Sequence, residues 1–318
     1  MPDPETQAAK PESVGSPDPA QLFPFPLDDF QLDAIDALNQ GHSVVVSAPT
    51  GSGKTLIGEY AIHRAMAHGQ KVFYTTPLKA LSNQKLRDFR EQFGVENVGL
   101  MTGDLSVNRD ASIVVMTTEI FRNMLYAEAD EHDDPLADVE AVVLDECHYM
   151  NDSQRGTVWE ESIIHCPPVV QLVALSATVA NAGQLTDWIE RVHGPTRLVL
   201  SDFRPVPLQF SFCSAKGLHP LLNDEGTGLH PNCKVWRAPK GHKRKGRSPR
   251  PPQPEPPPIS FVVAQMAERD MLPAIYFIFS RRGCDKAVRD LGVQCLVTDA
   301  EQARIRDRLK VYSAANPE

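Results

Sequence analysis

The run Ser43-Val44-Val45-Val46-Ser47 passes without a break into Ala48-Pro49-Thr50-Gly51-Ser52-Gly53-Lys54-Thr55, and then into TLIGEYAIHRAMAHG. Consecutive valines favour an extended strand, the two glycines permit a sharp turn, and the apolar positions that follow cover a broad helical face ending at Gly69, a residue suited to a left-handed helix terminus. A second β-branched run, KVFYTT, comes next. Strand, glycine turn, helix and strand make one βαβ unit, and its crossover obliges the two strands to lie parallel. A parallel sheet needs cover on both faces, so the chain is predicted to be α/β, with helices on either side of a doubly wound parallel sheet. The runs SIVVMTT, AVVLDE and VVQLVALSAT supply further strands. Helical stretches at LKALSNQKLRDFREQFG, TEIFRNMLYAEA and NAGQLTDWIERVHG separate or follow them, the last with Asn181 in the N-cap position. One domain spanning 21–200 is expected.

The eight residues from Ala48 to Thr55 carry chemistry as well as a turn. They are the Walker A pattern with alanine in place of its first glycine. A loop that leaves a strand and opens a helix can converge successive backbone N–H groups, and the positive end of the helix, on phosphate oxygens. Gly51 and Gly53 permit close approach, Lys54 would reach the β- and γ-phosphates, and the Thr55 hydroxyl would ligate magnesium. At the end of the apolar run Ala141-Val142-Val143-Leu144 stand Asp145 and Glu146. An acidic pair at a strand end faces the crevice where ligands of open α/β sheets bind. Asp145 would hold magnesium, and Glu146 would orient or deprotonate the attacking water.

The segments APTGSGKT, Asp145-Glu146-Cys147-His148 and Ser176-Ala177-Thr178, in this order and setting, resemble superfamily 2 helicases of the DExH-box type. Three further segments, Phe30-Gln31, Thr75-Thr76-Pro77-Leu78-Lys79-Ala80-Leu81 and Arg204-Pro205-Val206-Pro207-Leu208, are similar to the superkiller-like group, whose members act on RNA in processing and decay or on DNA in repair. The resemblance implies a P-loop NTPase of RecA-like fold that uses ATP and Mg2+ and moves along RNA, single-stranded or duplex with a single-stranded overhang. It implies that Ala48, Thr50, Gly51, Ser52, Gly53, Lys54 and Thr55 cradle the nucleotide and that Gln31 reads the adenine edge. Phe25 would pack near the base or, equally, plug the core. Ser176 and Thr178 would link nucleotide state to domain movement through hydroxyl hydrogen bonds to the acidic motif. Pro77 and Lys79, Gly103 in Thr102-Gly103-Asp104, and Thr117-Thr118-Glu119 would grip the sugar–phosphate backbone, as would Ser280 in Phe279-Ser280-Arg281. Taken singly, the first three segments read as a proline turn, a glycine turn and a helix N-cap. Arg281 and Arg282 read as a solvated helix start.

Beyond residue 200 the character changes. SDFRPVPLQFSFCS reads as an edge strand or hairpin leaving the domain, and residues 249–258 hold seven prolines in ten, an extended connector. A connecting region over 201–258 is therefore expected. The formal charge is −9, yet residues 234–250 carry eight Lys/Arg and no acid, leaving −17 on the rest. Such a run either adds sequence-independent phosphate contacts or is a solvated linker. From residue 259, the helix FVVAQMAERD, the strand AIYFIFS and the helix RRGCDKAVRDLG read as the start of a second RecA-like domain. Its 60 residues fall short of the ~100–150 of an ordinary domain. No arginine-finger motif precedes Glu318, and the only Gly-Arg pair, Gly246-Arg247, lies in the linker. The 318 residues alone are therefore expected to bind ATP weakly and hydrolyse it poorly.

Five prolines in the first twenty residues predict a disordered tail over 1–20. No apolar run approaches the roughly 18 residues of a membrane span. Six scattered cysteines without a C-x-x-C pair argue against a disulfide framework or zinc knuckle and fit a reducing, cytoplasmic setting. Competing expectations are a DNA repair helicase of the same group, a non-catalytic ATP- and RNA-binding scaffold, and a transporter-type ATPase, for which no further motif is present.

Overall fold

The computed structural model describes residues 15–126, 135–151, 156–236, 256–292 and 296–315. The chain separates into two compact units, 1–207 and 208–318.

In the first unit, α1 (Pro19–Leu22) and α2 (Asp29–Asn39) precede β1 (Ser43–Ser47), α3 (Thr55–Ala67), β2 (Lys71–Thr76) and α4 (Lys79–Phe93). Next come β3 (Val98–Met101), β4 (Ser106–Val107), β5 (Ile113–Thr117) and α5 (Thr118–Tyr126). The unit closes with β6 (Val139–Leu144), α6 (Gly156–His165), β7 (Gln171–Ser176), α7 (Ala182–Val192) and β8 (Thr196–Leu200). These eight strands form one sheet in the order β4-β3-β5-β2-β6-β7-β1-β8, parallel throughout except for the β3/β4 pair. The fold is the expected doubly wound α/β sheet.

Both faces of the sheet are buried, which is why its strands read as continuous apolar runs rather than alternating ones. Successive side chains point to opposite faces. Val44, Val46, Tyr74, Val143 and Leu175 join one core, against α2, α3 and α4, while Val45, Phe73, Val142, Leu144 and Ala174 join the other, with Phe121, Trp159 and Ile189 of α5, α6 and α7. Gly58 lets α3 approach closely: a Cβ there would lie 3.2 Å from the Tyr74 ring and 3.3 Å from Val143. The parallel register aligns the strand ends. Ser47 of β1 pairs with Ser176 of β7, Thr75 of β2 with Leu144 of β6, and Thr76 with Thr117 of β5. The loops after β1, β2, β5, β6 and β7 consequently share one edge.

Three expectations need correction. Residues 15–20 are not tail: Asp18 caps α1 by accepting from the Ala20 N–H (3.0 Å), proline sits at the first helical position, and Tyr60 donates to the Pro17 carbonyl (3.2 Å). Asn181 flanks α7 without a side-chain capping bond, its φ of −106° and ψ of 22° lying outside the extended region typical of caps. In the second unit AIYFIFS forms no strand. A buried parallel strand needs ladder partners, none pairs with it among the described residues, and Ile275, Phe277 and Phe279 are exposed.

The second unit otherwise contains an antiparallel hairpin of β9 (Ser211–Ser214) and β10 (Gly217–Pro220), followed by α8 (Ile259–Ala267), α9 (Arg281–Leu291) and α10 (Asp299–Ala315). The Leu218 N–H donates to Gln265 Oε1 (3.4 Å), joining the hairpin to α8. Most of the basic run, with Gly246-Arg247, lies outside the described residues.

Candidate nucleotide and nucleic-acid sites

The loop after β1 turns through Gly51 and Gly53, at φ +87° and +86°, a left-handed conformation that glycine adopts without the strain a side chain brings. It delivers Lys54 and Thr55 to the start of α3, where the first N–H groups have no intrahelical partner. Ala48 is buried, and its N–H donates to the Ser176 carbonyl (3.2 Å), fastening the loop to the end of β7. Ser52 is buried with its hydroxyl unpartnered among the described residues. Such an orphaned donor beside a glycine loop suits a phosphate oxygen.

Asp145 continues the β2/β6 ladder through its N–H to the Thr75 carbonyl (3.0 Å). Its Oδ1 accepts from the Glu146 N–H (2.9 Å), and its Oδ2 accepts from the Tyr74 hydroxyl (2.8 Å). Burial and the neighbouring carboxylate hold the Tyr74 pKa well above the ordinary range, so the hydroxyl keeps its proton and donates it in the hydrogen bond to Asp145. Glu146 has φ +53°, which turns its carboxylate out of the strand direction; His148 Nδ1 lies 3.3 Å from its Oε2. Burial pushes the Cys147 thiol up to about 12, so it remains protonated between the acidic pair and Ser176.

Thr50, Gly51, Gly53, Lys54, Thr55, Asp145 and Glu146 line one cavity of about 450 Å³, closed by Leu81, Gln84 and Lys85 of α4. The Lys54 ammonium donates to the Pro49 carbonyl (3.1 Å). Burial lowers its pKa, an effect that Glu146 and Asp145 oppose and Arg204 reinforces. Among the described residues no group of three His, Cys, Asp or Glu side chains could hold a metal unaided. A hydroxyl and one carboxylate, from Thr55 and Asp145, fit a magnesium ion that takes its remaining ligands from phosphates and water.

Gln31 lies at the loop rather than in the cavity. It is buried, its Oε1 accepts from the Asp28 N–H (3.0 Å), and its Nε2 donates to the Gly53 carbonyl (3.2 Å). Phe23, not Phe25, is the core plug: Phe25 is 54% exposed with its ring 6.2 Å from that of Phe23. Ser176 is buried with its hydroxyl on the Ala177 carbonyl (2.8 Å), whereas Thr178 is exposed. The Ala177 N–H donates to His148 Nδ1 (3.5 Å), so backbone as well as hydroxyl joins this strand end to the acidic motif.

On the same edge, Lys79 is exposed and paired with Asp104 (2.6 Å) beside Gly103. Pro77 is buried. Thr117 and Thr118 are buried too, and the Thr118 hydroxyl donates to the Thr76 carbonyl (3.3 Å). These two side chains are therefore turned inward, so that at these two positions backbone rather than side chain is left to meet a ligand. In the second unit Ser280 caps α9, accepting from the Gly283 N–H (3.0 Å).

Tyr74, Gln84 and Lys85 were not singled out from the sequence. Tyr74 sits mid-strand, and the other two lie in the polar helix KALSNQKLRDFREQF, where such residues are ordinarily solvated.

Residues 28–185 match the DEAD/DEAH box helicase family. The DExH-box ATP-dependent RNA helicase DExH15, chloroplastic, of Arabidopsis thaliana is 43% identical over 340 residues, covering 93% of this chain and 29% of that protein. Probable helicase HelY of Mycobacterium leprae is 44% identical over 314 residues, covering 90% and 33%. The antiviral helicase SKI2 of Saccharomyces cerevisiae is 48% identical over 217 residues, covering 68% and 17%. The chain thus spans a third or less of the length of these relatives.

Proposed function

Because the chain belongs to the DEAD/DEAH box helicase family, in its superkiller-like DExH group, we propose that it is the nucleotide-binding part of an ATP-dependent RNA helicase. ATP hydrolysis would drive movement along an RNA strand, single or in a duplex with an overhang. The observation that carries this reading is the single cavity shared by the glycine loop and the acidic pair.

In this reading the loop from Ala48 to Thr55 holds the phosphates, with Lys54 neutralising the β- and γ-oxygens. Thr55 and Asp145 would hold magnesium, which when bound would offset the charge developing on the phosphates. Glu146 orients the attacking water and takes its proton. Tyr74 keeps Asp145 turned toward the cavity. Gln31 acts on the base side through the loop it braces, and Ser176 and Thr178 pass the state of the site to the rest of the protein. Lys79, Gly103 and the backbone near Pro77, Thr117 and Thr118 form the strand-binding edge of the first RecA-like domain; Ser280 is a backbone-binding candidate of its own in a second RecA-like domain that begins at 259. The first such domain extends to residue 200 and includes α1, with 201–258 connecting them. The chain's five described cysteines are free thiols, which suits a cytoplasmic setting, and no described helix is long and apolar enough to cross a membrane.

The test is nucleotide binding and RNA-stimulated phosphate release. Lys54→Ala is expected to abolish ATP binding in calorimetry. Glu146→Gln is expected to retain binding while turnover falls about a hundredfold or more. RNA-stimulated turnover that survives Glu146→Gln would sink the assignment of the base, and stimulation by DNA alone would redirect the substrate.

A further inference from the structure

We propose that Lys85 is a resident cation of this pocket that competes with the divalent metal for the Thr55 hydroxyl. The inference rests on the nucleotide-binding reading above and concerns a residue outside every motif that supports it.

Lys85 is the seventh residue of α4, nearly two turns in, on the face it shares with Leu81 and Gln84, which lines the cavity shared with the glycine loop. Its ammonium donates to Thr55 Oγ1 at 3.4 Å. That bond takes up one of the two lone pairs on the oxygen through which Thr55 would bind a metal. The same ammonium lies 5.2 Å from the centroid of the Tyr74 ring and 5.6 Å from that of Phe89. Tyr74 in turn donates to Asp145 Oδ2. Of the two side chains that would hold magnesium, Lys85 thereby touches one directly and is linked to the other through an aromatic ring.

An ammonium and a divalent ion cannot both sit at one hydroxyl, since like charges within a few ångströms in a partly buried pocket repel strongly. Lys85 has somewhere else to go. The two ring faces support a cation without any hydrogen bond. Glu59, one helical turn beyond Thr55, carries a half-buried carboxyl that burial pushes toward neutrality and Lys85 draws back toward ionisation. Withdrawing from Thr55 leaves the ammonium on this ledge. With the metal absent, Lys85 supplies part of the positive charge that the phosphates require; with the metal present, it must yield the hydroxyl. Either way it makes nucleotide affinity less dependent on metal than the rest of the pocket would set it.

The experiment measures ADP binding to the full 318-residue chain by calorimetry, once in excess magnesium and once in EDTA. Lys85→Met is expected to widen the ratio of the two affinities by about tenfold, the size of effect that losing one charge-assisted hydrogen bond or one competitor produces. Lys85→Arg keeps the charge and is expected to leave the ratio within about twofold. A Lys85→Met chain whose ratio is unchanged overturns the proposal. So does equal weakening in both conditions, which would make Lys85 a plain phosphate ligand. In both of those cases ADP binding that still requires Lys54 leaves the nucleotide site standing. A wild-type chain that binds no ADP removes the underlying reading, and the inference with it. Should Lys85→Met fail to fold, Lys85→Gln gives the same comparison.

Discussion

Tyr74 shows how a buried residue can govern a half-buried one. Its hydroxyl is fixed as a donor because burial and Asp145 both oppose its ionisation, so Asp145 meets the cavity in one orientation. Tyr74→Phe removes one hydrogen bond to a charged acceptor, worth about 1.5–3 kcal/mol. The expected outcome is a melting temperature lower by a few degrees and magnesium-dependent ADP affinity reduced about tenfold, with affinity in EDTA unchanged. Lys54 supplies a pH dependence. Nucleotide binding needs the ammonium, and burial sets its pKa below the usual 10.5, so the proton leaves earlier than from a solvated lysine. Affinity should hold through neutral pH and fall once pH rises past that lowered pKa, approaching about tenfold per pH unit, before 10.5 is reached. A calorimetric series across alkaline pH checks the sign.

At the level of the element, α3 connects the loop to the core. Gly58→Val would press its side chain into Tyr74 and Val143. Overpacking of this kind typically costs about 1–3 kcal/mol, and here the strain falls on the helix that begins at Thr55. Urea unfolding should show the lost stability, and ADP binding should weaken with it. The strands and helices that build this half of the molecule were legible in the sequence because each carries its own periodicity, and the glycine loop and acidic pair were legible because each is contiguous. What was not legible depends on partners far apart in the chain. Tyr74 and Asp145 are 71 residues apart, and Lys85 and Thr55 are 30 apart. Gln31 read as a residue for the base, but its amide is engaged by Asp28 and Gly53. Thr117 and Thr118 read as surface donors, yet the register that pairs Thr117 with Thr76 draws them inside. AIYFIFS failed as a strand for the opposite reason, since a correct local pattern is insufficient without a neighbour to pair with.

For the whole molecule the distribution of charge matters more than its total. A chain of net −9 whose residues 234–250 are +8 concentrates its cationic character in one short stretch. If that stretch lies along bound RNA, deleting residues 240–258 should weaken binding and flatten its dependence on salt, because fewer counterions are released. Filter-binding titrations across a range of salt concentrations provide the measurement, and an identical slope would assign the stretch to a linker role. Matched RNA and DNA strands in the same titration compare the two substrates, which a grip on the backbone alone does not distinguish.

Val142, Val143 and Leu144 are consecutive in β6, yet Val143 packs into one core and its two neighbours into the other. A change at any of them is therefore felt on one side of the sheet and carried to Asp145, the next residue, from whichever side it arises. Helices that pack on opposite faces, α3 and α6 among them, cannot accumulate substitutions independently of each other, because both must keep fitting the same strand. Under random mutagenesis with selection for folding alone, β6 should tolerate the fewest changes in the sheet and the exposed pair Ser106–Val107 of β4 the most. The surroundings of the acidic pair would then be held in place by packing, even with no selection on catalysis.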